Sequence, residues 1–184
     1  GVYGNENIGG IVGYINDSNL ELEGTVTSYT NVIGKRQNTG GFAGLVKNSD
    51  LNLWNFNQTD QSTMNVTGVD YVGGLVGQIT EQSLITSNND KTADSNTIPS
   101  SSEFNPDFSG VVTGANHVGG AVGSVNNSSL SNLCVSATVT GNGTDVGGIA
   151  GSLLFASSGE ENVYGVKSMG EIKNPDGERT GGVA

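Results

Sequence analysis

His117 and Cys134 are the chain's only histidine and cysteine, so a Ser-His-Asp or Cys-His site would have to be built on them. The stretch Leu133-Cys134-Val135 reads as apolar and inward-facing, which makes Cys134 a small buried hydrophobe, while His117 falls in a surface turn ahead of Val118-Gly119-Gly120. One histidine and one cysteine also fall short of a zinc ligand set. Glu21 and Glu23 share the outward side of Leu20-Glu21-Leu22-Glu23, where strand geometry sets them roughly 7 Å apart, a separation that suits inverting glycoside hydrolysis. Strand amphipathicity alone places two glutamates opposite two leucines, and that reading is adopted. Asp90, Asp94, Glu103 and Asp107 could gather around a calcium ion, but their spacing is not that of a calcium-binding loop, and a solvated acidic loop is expected instead. No catalytic residue, metal site or cofactor site is assigned.

Other residues suggest contact rather than catalysis. In Leu51-Asn52-Leu53-Trp54-Asn55-Phe56, burying Leu51 and Leu53 turns Trp54 and Phe56 to the other face. Exposed aromatics there could stack on a sugar ring or dock a partner, or be covered by a neighbouring loop. Thr25, Thr27, Thr67, Thr113, Thr138 and Thr140 form outward columns of the kind that can order ice, but Asn65, Val111 and Lys173 interrupt them, and ordinary β propensity accounts for them. Glycosylation sequons start at Asn16, Asn57, Asn65, Asn126, Asn127 and Asn142, close to the number that so many Asn, Ser and Thr residues produce by chance.

The elements that must position these side chains are set by glycine. Ile8-Gly9-Gly10-Ile11-Val12-Gly13, Thr39-Gly40-Gly41-Phe42-Ala43-Gly44, Val72-Gly73-Gly74-Leu75-Val76-Gly77, Val118-Gly119-Gly120-Ala121-Val122-Gly123, Val146-Gly147-Gly148-Ile149-Ala150-Gly151 and Thr180-Gly181-Gly182-Val183-Ala184 recur at intervals of 28 to 46 residues. A period on that scale marks a solenoid or propeller, whose units bury their apolar faces only by stacking. The glycine pairs are expected to allow positive φ or close backbone approach at a corner. No predicted helix follows them and none of the motifs contains a lysine, as a phosphate-cradling loop would require.

A second column, Val26, Val66, Val112, Val139 and Ile172, precedes the glycine pairs with polar residues after it, and is expected to stack inside. It stands seven to nine residues ahead of the next glycine pair, except for Val26, which stands fourteen ahead. A third set, Leu20-Glu21-Leu22, Leu51-Asn52-Leu53, Leu84-Ile85 and Leu130, follows turns rich in Asn, Asp and Ser. The fold expected is all-β: a parallel β-helix (β-solenoid) with about three short strands per coil and five to six coils. It forms one elongated unit over 1–184, with a loop inserted at about 87–109.

Composition agrees. Thirty glycines and 34% hydrophobic residues suit a narrow solenoid better than a broad core, and a net charge of −11 disfavours nucleic acid and anionic membranes as partners. No apolar run approaches the roughly 18 residues of a membrane span, and no signal peptide opens the chain. The chain reads as a segment of a longer array, with its targeting signal and caps elsewhere.

The glycine pattern resembles the GLUG motif, found in tandem in large bacterial surface proteins, including adhesins and regions flanking some immunoglobulin A peptidases. The resemblance spans nearly the whole chain, although only Leu75 supplies the literal leucine. It implies a repetitive, non-catalytic part of an extracellular, surface or secreted protein. Flanking repeats or neighbouring subunits would meet its coil edges, and a glycan or host surface protein would meet its loops.

Overall fold

The computed structural model describes residues 1–22, 31–54, 64–87, 106–155 and 162–184. Every regular element among them is a β-strand. The first coil runs β1 (Val2–Gly4), β2 (Ile8–Gly9), β3 (Val12–Asn16), β4 (Asn19–Glu21), and the second β5 (Val32–Gly34), β6 (Gln37–Gly40), β7 (Ala43–Lys47), β8 (Asp50–Asn52). The third is β9 (Met64–Thr67), β10 (Asp70–Gly73), β11 (Val76–Thr80), β12 (Leu84–Thr86), and the fourth β13 (Phe108–Gly114), β14 (Asn116–Gly119), β15 (Val122–Asn126), β16 (Ser129–Ser131). The fifth is β17 (Cys134–Gly141), β18 (Val146–Gly147), β19 (Ala150–Leu154), β20 (Val163–Tyr164), and part of a sixth follows as β21 (Lys167–Met169), β22 (Ile172–Lys173) and β23 (Thr180–Gly181). Equivalent strands of successive coils pair in parallel to form four sheets, here A to D in the order the chain visits them. The architecture is a parallel β-solenoid.

Each coil therefore has four strands where the sequence suggests about three. The reason lies in the glycine motif, which is not one strand but the bend between two: Gly73 ends β10 in sheet B, and Val76 opens β11 in sheet C. All three glycines of the motif are required by space. A Cβ on the first, as at Gly9, Gly40, Gly73, Gly119, Gly147 or Gly181, would strike the carbonyl oxygen three residues ahead across that bend. One on the second, at Gly41, Gly74, Gly120 or Gly148, would strike the carbonyl oxygen of the matching glycine in the next coil. One on the third, at Gly44, Gly77, Gly123 or Gly151, would meet the backbone of the preceding coil two residues ahead of its own glycine pair. All these approaches are closer than 3.0 Å, a distance that real Cβ atoms essentially never show. None of these glycines has a positive φ, so close approach rather than left-handed conformation selects them.

The core is a set of stacked columns. Leu75 and its equivalents Phe42, Ala121 and Ile149 are fully buried inside the glycine bend, as are Leu51, Ile85 and Leu130 of sheet D. In sheet A the register aligns Val32 with Val66, Val66 with Val112, Val112 with Val139, and Val139 with Ile172. The column expected from sequence is present with one correction: its second-coil member is Val32, not Val26, which lies outside the described residues. Val32 stands eight residues ahead of Gly40, so the anomalous spacing of Val26 was itself the sign that a different residue fills the place. In sheet D the inward residue of the third coil is Ile85, in register with Leu51 and Leu130. The inserted loop is also shorter than 87–109 at its far end, since Phe108 and Ser109 belong to β13 and Phe108 is fully buried.

Hydrogen-bond ladders tie the corner between sheets C and D. The amide of Ser18 donates to Ser49 Oγ at 3.0 Å, that of Ser49 to Ser83 Oγ at 3.1 Å, and that of Ser83 to Ser128 Oγ at 3.2 Å. Each of these hydroxyls also donates to a carbonyl of its own coil, as Ser49 does to Lys47 at 2.6 Å. Every rung thus satisfies a donor and an acceptor that the turn would otherwise strand.

One core position is less well matched. Thr39 is fully buried, and its hydroxyl has no hydrogen-bond partner. Its register equivalents are Ile8 and Val72, and Val118 and Val146 follow in the same column. Burying an unpaired hydroxyl costs about 1–3 kcal/mol, and valine keeps its shape. Thr39→Val is therefore expected to stabilise the protein by about 1–2 kcal/mol, seen as a higher urea midpoint with an unchanged slope. An equal or lower midpoint would mean that the hydroxyl is satisfied.

Candidate functional site

The corner between sheets A and B carries a linked group of ionisable side chains. The residue just before each sheet B apolar position has left-handed backbone: Asn7 (φ 53°), Asn38 (φ 61°), Tyr71 (φ 54°), His117 (φ 49°) and Asp145 (φ 61°). Arg179 occupies the same place in the sixth coil. Asn, Asp and His enter this region more readily than most residues, whereas for tyrosine it is a real strain. The constraint is shared because the third glycine of the next coil packs directly on this backbone, as Gly123 does on Tyr71 and Gly151 on His117.

Coil stacking sets these side chains in a line. Asn38 Nδ2 donates to Asn7 Oδ1 at 2.8 Å. Further along, the rings of Tyr71 and His117 stack with centroids 4.8 Å apart, a contact that helps offset the strain at Tyr71. His117 Nδ1 lies 2.7 Å from Asp70 Oδ1 and Nε2 lies 3.3 Å from Asp145 Oδ2. Asp145 in turn takes both Nε and, at 3.0 Å, a terminal nitrogen of Arg179 in a forked pair. The hydrogen bond from Arg179 holds the Asp145 carboxyl below the usual carboxylate range, against the smaller opposing effect of burial. Burial, and then the charge of Asp70, push the Tyr71 phenol up.

Both imidazole nitrogens of His117 thus face carboxylates, and among the described residues no serine, threonine or cysteine bonds to it. The geometry is that of a brace linking coils three to six, not of a nucleophile and its base. Sequence reasoning placed His117 in a surface turn, but it lies within β14 and is partly buried, and its partners were missed. The signal was positional: Tyr71, His117, Asp145 and Arg179 each stand two residues before a glycine pair.

The remaining expectations divide. Cys134 is buried, and burial followed by the nearby charge of Asp107 pushes its thiol up to about 12, so it is protonated and inert at neutral pH. Asp107 is not the solvated member of an acidic loop. It is buried, Ser87 Oγ donates to its Oδ1, and the Cys134 amide donates to Oδ2 at 2.8 Å. Asp90, Asp94 and Glu103 lie outside the described residues, as do Glu23, Thr25 and Thr27. Glu21 is exposed between half-buried Leu20 and buried Leu22. Thr67, Thr113 and Thr140 align in one outward column that ends at Lys173, and Asn65 aligns with Val111. Trp54 is 56% exposed, with its amide donating to Asn52 Oδ1 at 3.0 Å, while Phe56 lies outside the described residues.

No family model, curated protein or solved structure matches this chain. Its function must be argued from its own geometry.

Proposed function

We propose that this chain is a non-catalytic structural section of an extracellular, surface or secreted protein: a rigid β-solenoid stalk or filament segment that carries contact loops. The observation that carries this reading is the unbroken stack: equivalent strands of successive coils pair in parallel in all four sheets, and Phe42, Leu75, Ala121 and Ile149 are fully buried between coils. Strand edges at the faces of such a stack can pair with another coil. The brace through Asp70, His117, Asp145 and Arg179 suits a stalk because it resists shear between coils. The resemblance of the glycine pattern to GLUG repeats supports the same reading.

Sedimentation velocity on the 184-residue chain tests it. Association that grows with concentration into elongated species is expected, and a strictly monomeric chain at high concentration would overturn the picture of stackable coil edges. Electron microscopy of the natural assembly would then show whether coils continue covalently or between subunits.

The exposure of Trp54 favours a second reading, in which the segment itself contacts a glycan or a host protein. Loss of glycan-array or host-protein binding on Trp54→Ala would support it.

A further inference from the structure

A second surface feature does not belong to the stalk geometry. The corner between sheets C and D is uniform in the first two coils, Asp17-Ser18 and Asn48-Ser49, and again in the fourth, Asn127-Ser128. The third coil carries one extra residue there. Glu81 and Gln82 are both left-handed, with φ of 57° and 61°, and the added residue leaves Gln82 exposed. In the fifth coil the chain between β19 and β20 is longer still, and Asn162 and Tyr164 lie on that side. The fourth-coil corner lies between Gln82 on one side and Asn162 and Tyr164 on the other.

The result is a groove of about 450 Å³, within the range of small-ligand sites. Ser128 and Ser129 are at its centre, Gln82 and Leu84 on the third-coil side, and Asn162 and Tyr164 on the fifth-coil side. Its floor is fixed by bonds already formed. Ser128 Oγ accepts from the Ser83 amide and donates to Asn126 O at 2.9 Å, and Ser129 Oγ accepts from the Asn162 amide at 3.0 Å. The floor is thus preorganised, which lowers the cost of ordering on binding.

Its chemistry is selective. None of the described lining residues is charged. Two carboxamide side chains, Gln82 and Asn162, flank the groove from opposite sides, and each amide can donate and accept at once, as a pair of vicinal hydroxyls requires. Tyr164 is 57% exposed and presents a ring face beside them, while half-buried Leu84 adds an apolar patch. An aromatic face for a C–H surface, with amides and hydroxyls for hydroxyl groups, is a match for a sugar ring. The absence of cations among the described lining residues, and a net charge of −11 on the chain, disfavour anionic sugars.

We propose that this groove binds a neutral saccharide, with Tyr164 as the stacking platform and Gln82 and Asn162 as hydroxyl-reading amides. The site is separate from Trp54, and the inference does not depend on the stalk reading.

The test is saturation-transfer NMR and calorimetric titration of the 184-residue chain with methyl glycosides of glucose, galactose, mannose and N-acetylglucosamine, and with methyl glucuronide as the anionic probe. At least one neutral glycoside should bind at millimolar concentration, and more tightly than the glucuronide. Binding should weaken roughly tenfold in Tyr164→Ala, weaken in Gln82→Ala, persist in Tyr164→Phe, and be unchanged in Trp54→Ala. Both Tyr164 and Gln82 are exposed, so these variants should keep the wild-type circular dichroism spectrum. No binding of any neutral glycoside, equal affinity for the glucuronide, or binding that survives Tyr164→Ala would overturn the proposal. Binding abolished by Trp54→Ala would overturn it too, by moving recognition to the second reading of function.

Discussion

Gly74→Ala is expected to unfold the central coils, at a cost of at least about 3 kcal/mol. The added methyl would point at the carbonyl oxygen of Gly120 in the next coil and at the ring of Phe108, both closer than 3.0 Å. The ring could give way, but the backbones on both sides are held in the stack: Gly74 accepts from the Gly41 amide and donates to Gly119, and the Gly120 amide donates to Gly147. Relief requires the coils to separate, which would break the ladders and open the columns around Leu75. Urea unfolding followed by circular dichroism at about 218 nm, a wavelength that reports strand content, measures the loss. Gly182→Ala is the internal control, because a methyl there meets nothing within 4 Å, and its midpoint should stay at the wild-type value. A tolerated Gly74→Ala would mean that the motif glycines are not selected by space.

Asp107→Ala carries the second largest expected effect, about 3 kcal/mol or more. Ser87 and Asp107 stand twenty residues apart at the two ends of the longest insertion, and the hydrogen bond between them closes its base. The same carboxylate receives the Cys134 amide, while the Asp107 amide donates back to Cys134 O at 2.7 Å. Removing it strands a buried hydroxyl and a buried amide in one step. Asp107→Asn keeps one acceptor oxygen and should lie between alanine and wild type. Hydrogen exchange at the Cys134 amide gives the local readout, with protection lost in the alanine variant. A stability change below about 1 kcal/mol for Asp107→Ala would show that water replaces the carboxylate.

The legible part of the fold was the part that repeats in kind. Six glycine motifs and a column of β-branched residues carry the same chemistry in every coil, so the sequence discloses parallel stacking without a structure. The count of strands per coil was hidden because a Gly-Gly bend and a Gly-Gly strand read alike until the direction of the chain on each side is known. Val26 was taken for Val32 because both are valines in strand-like surroundings, and only spacing separates them. The serines at the C–D corner were visible as turn formers, but their ladder was not, since a hydroxyl bonding across thirty residues leaves no local trace. The A–B corner was the least legible. Asn7, Asn38, Tyr71, His117, Asp145 and Arg179 share a backbone position rather than a chemical type, and a search for similar side chains passes over them. The groove at Tyr164 depends on one added residue, Gln82, whose effect appears only beside coils that lack it.

Most of the residues added between motifs fall into two connections, from sheet D to sheet A in the first three coils and from sheet C to sheet D in the third and fifth. Motif intervals of 28 and 46 residues nevertheless leave Gly119 in register with both Gly73 and Gly147. The bend between sheets B and C is two residues long in every complete coil, and the glycine contacts around it leave little room for a longer chain. For a lineage carrying such a gene the two halves of each coil would age differently: one half tolerates almost no substitution, while the other can accept new segments without disturbing its neighbours. Variation among descendants should therefore gather on one flank of the rod, so that the surface offered to a changing environment can be rewritten while the scaffold beneath it is inherited intact.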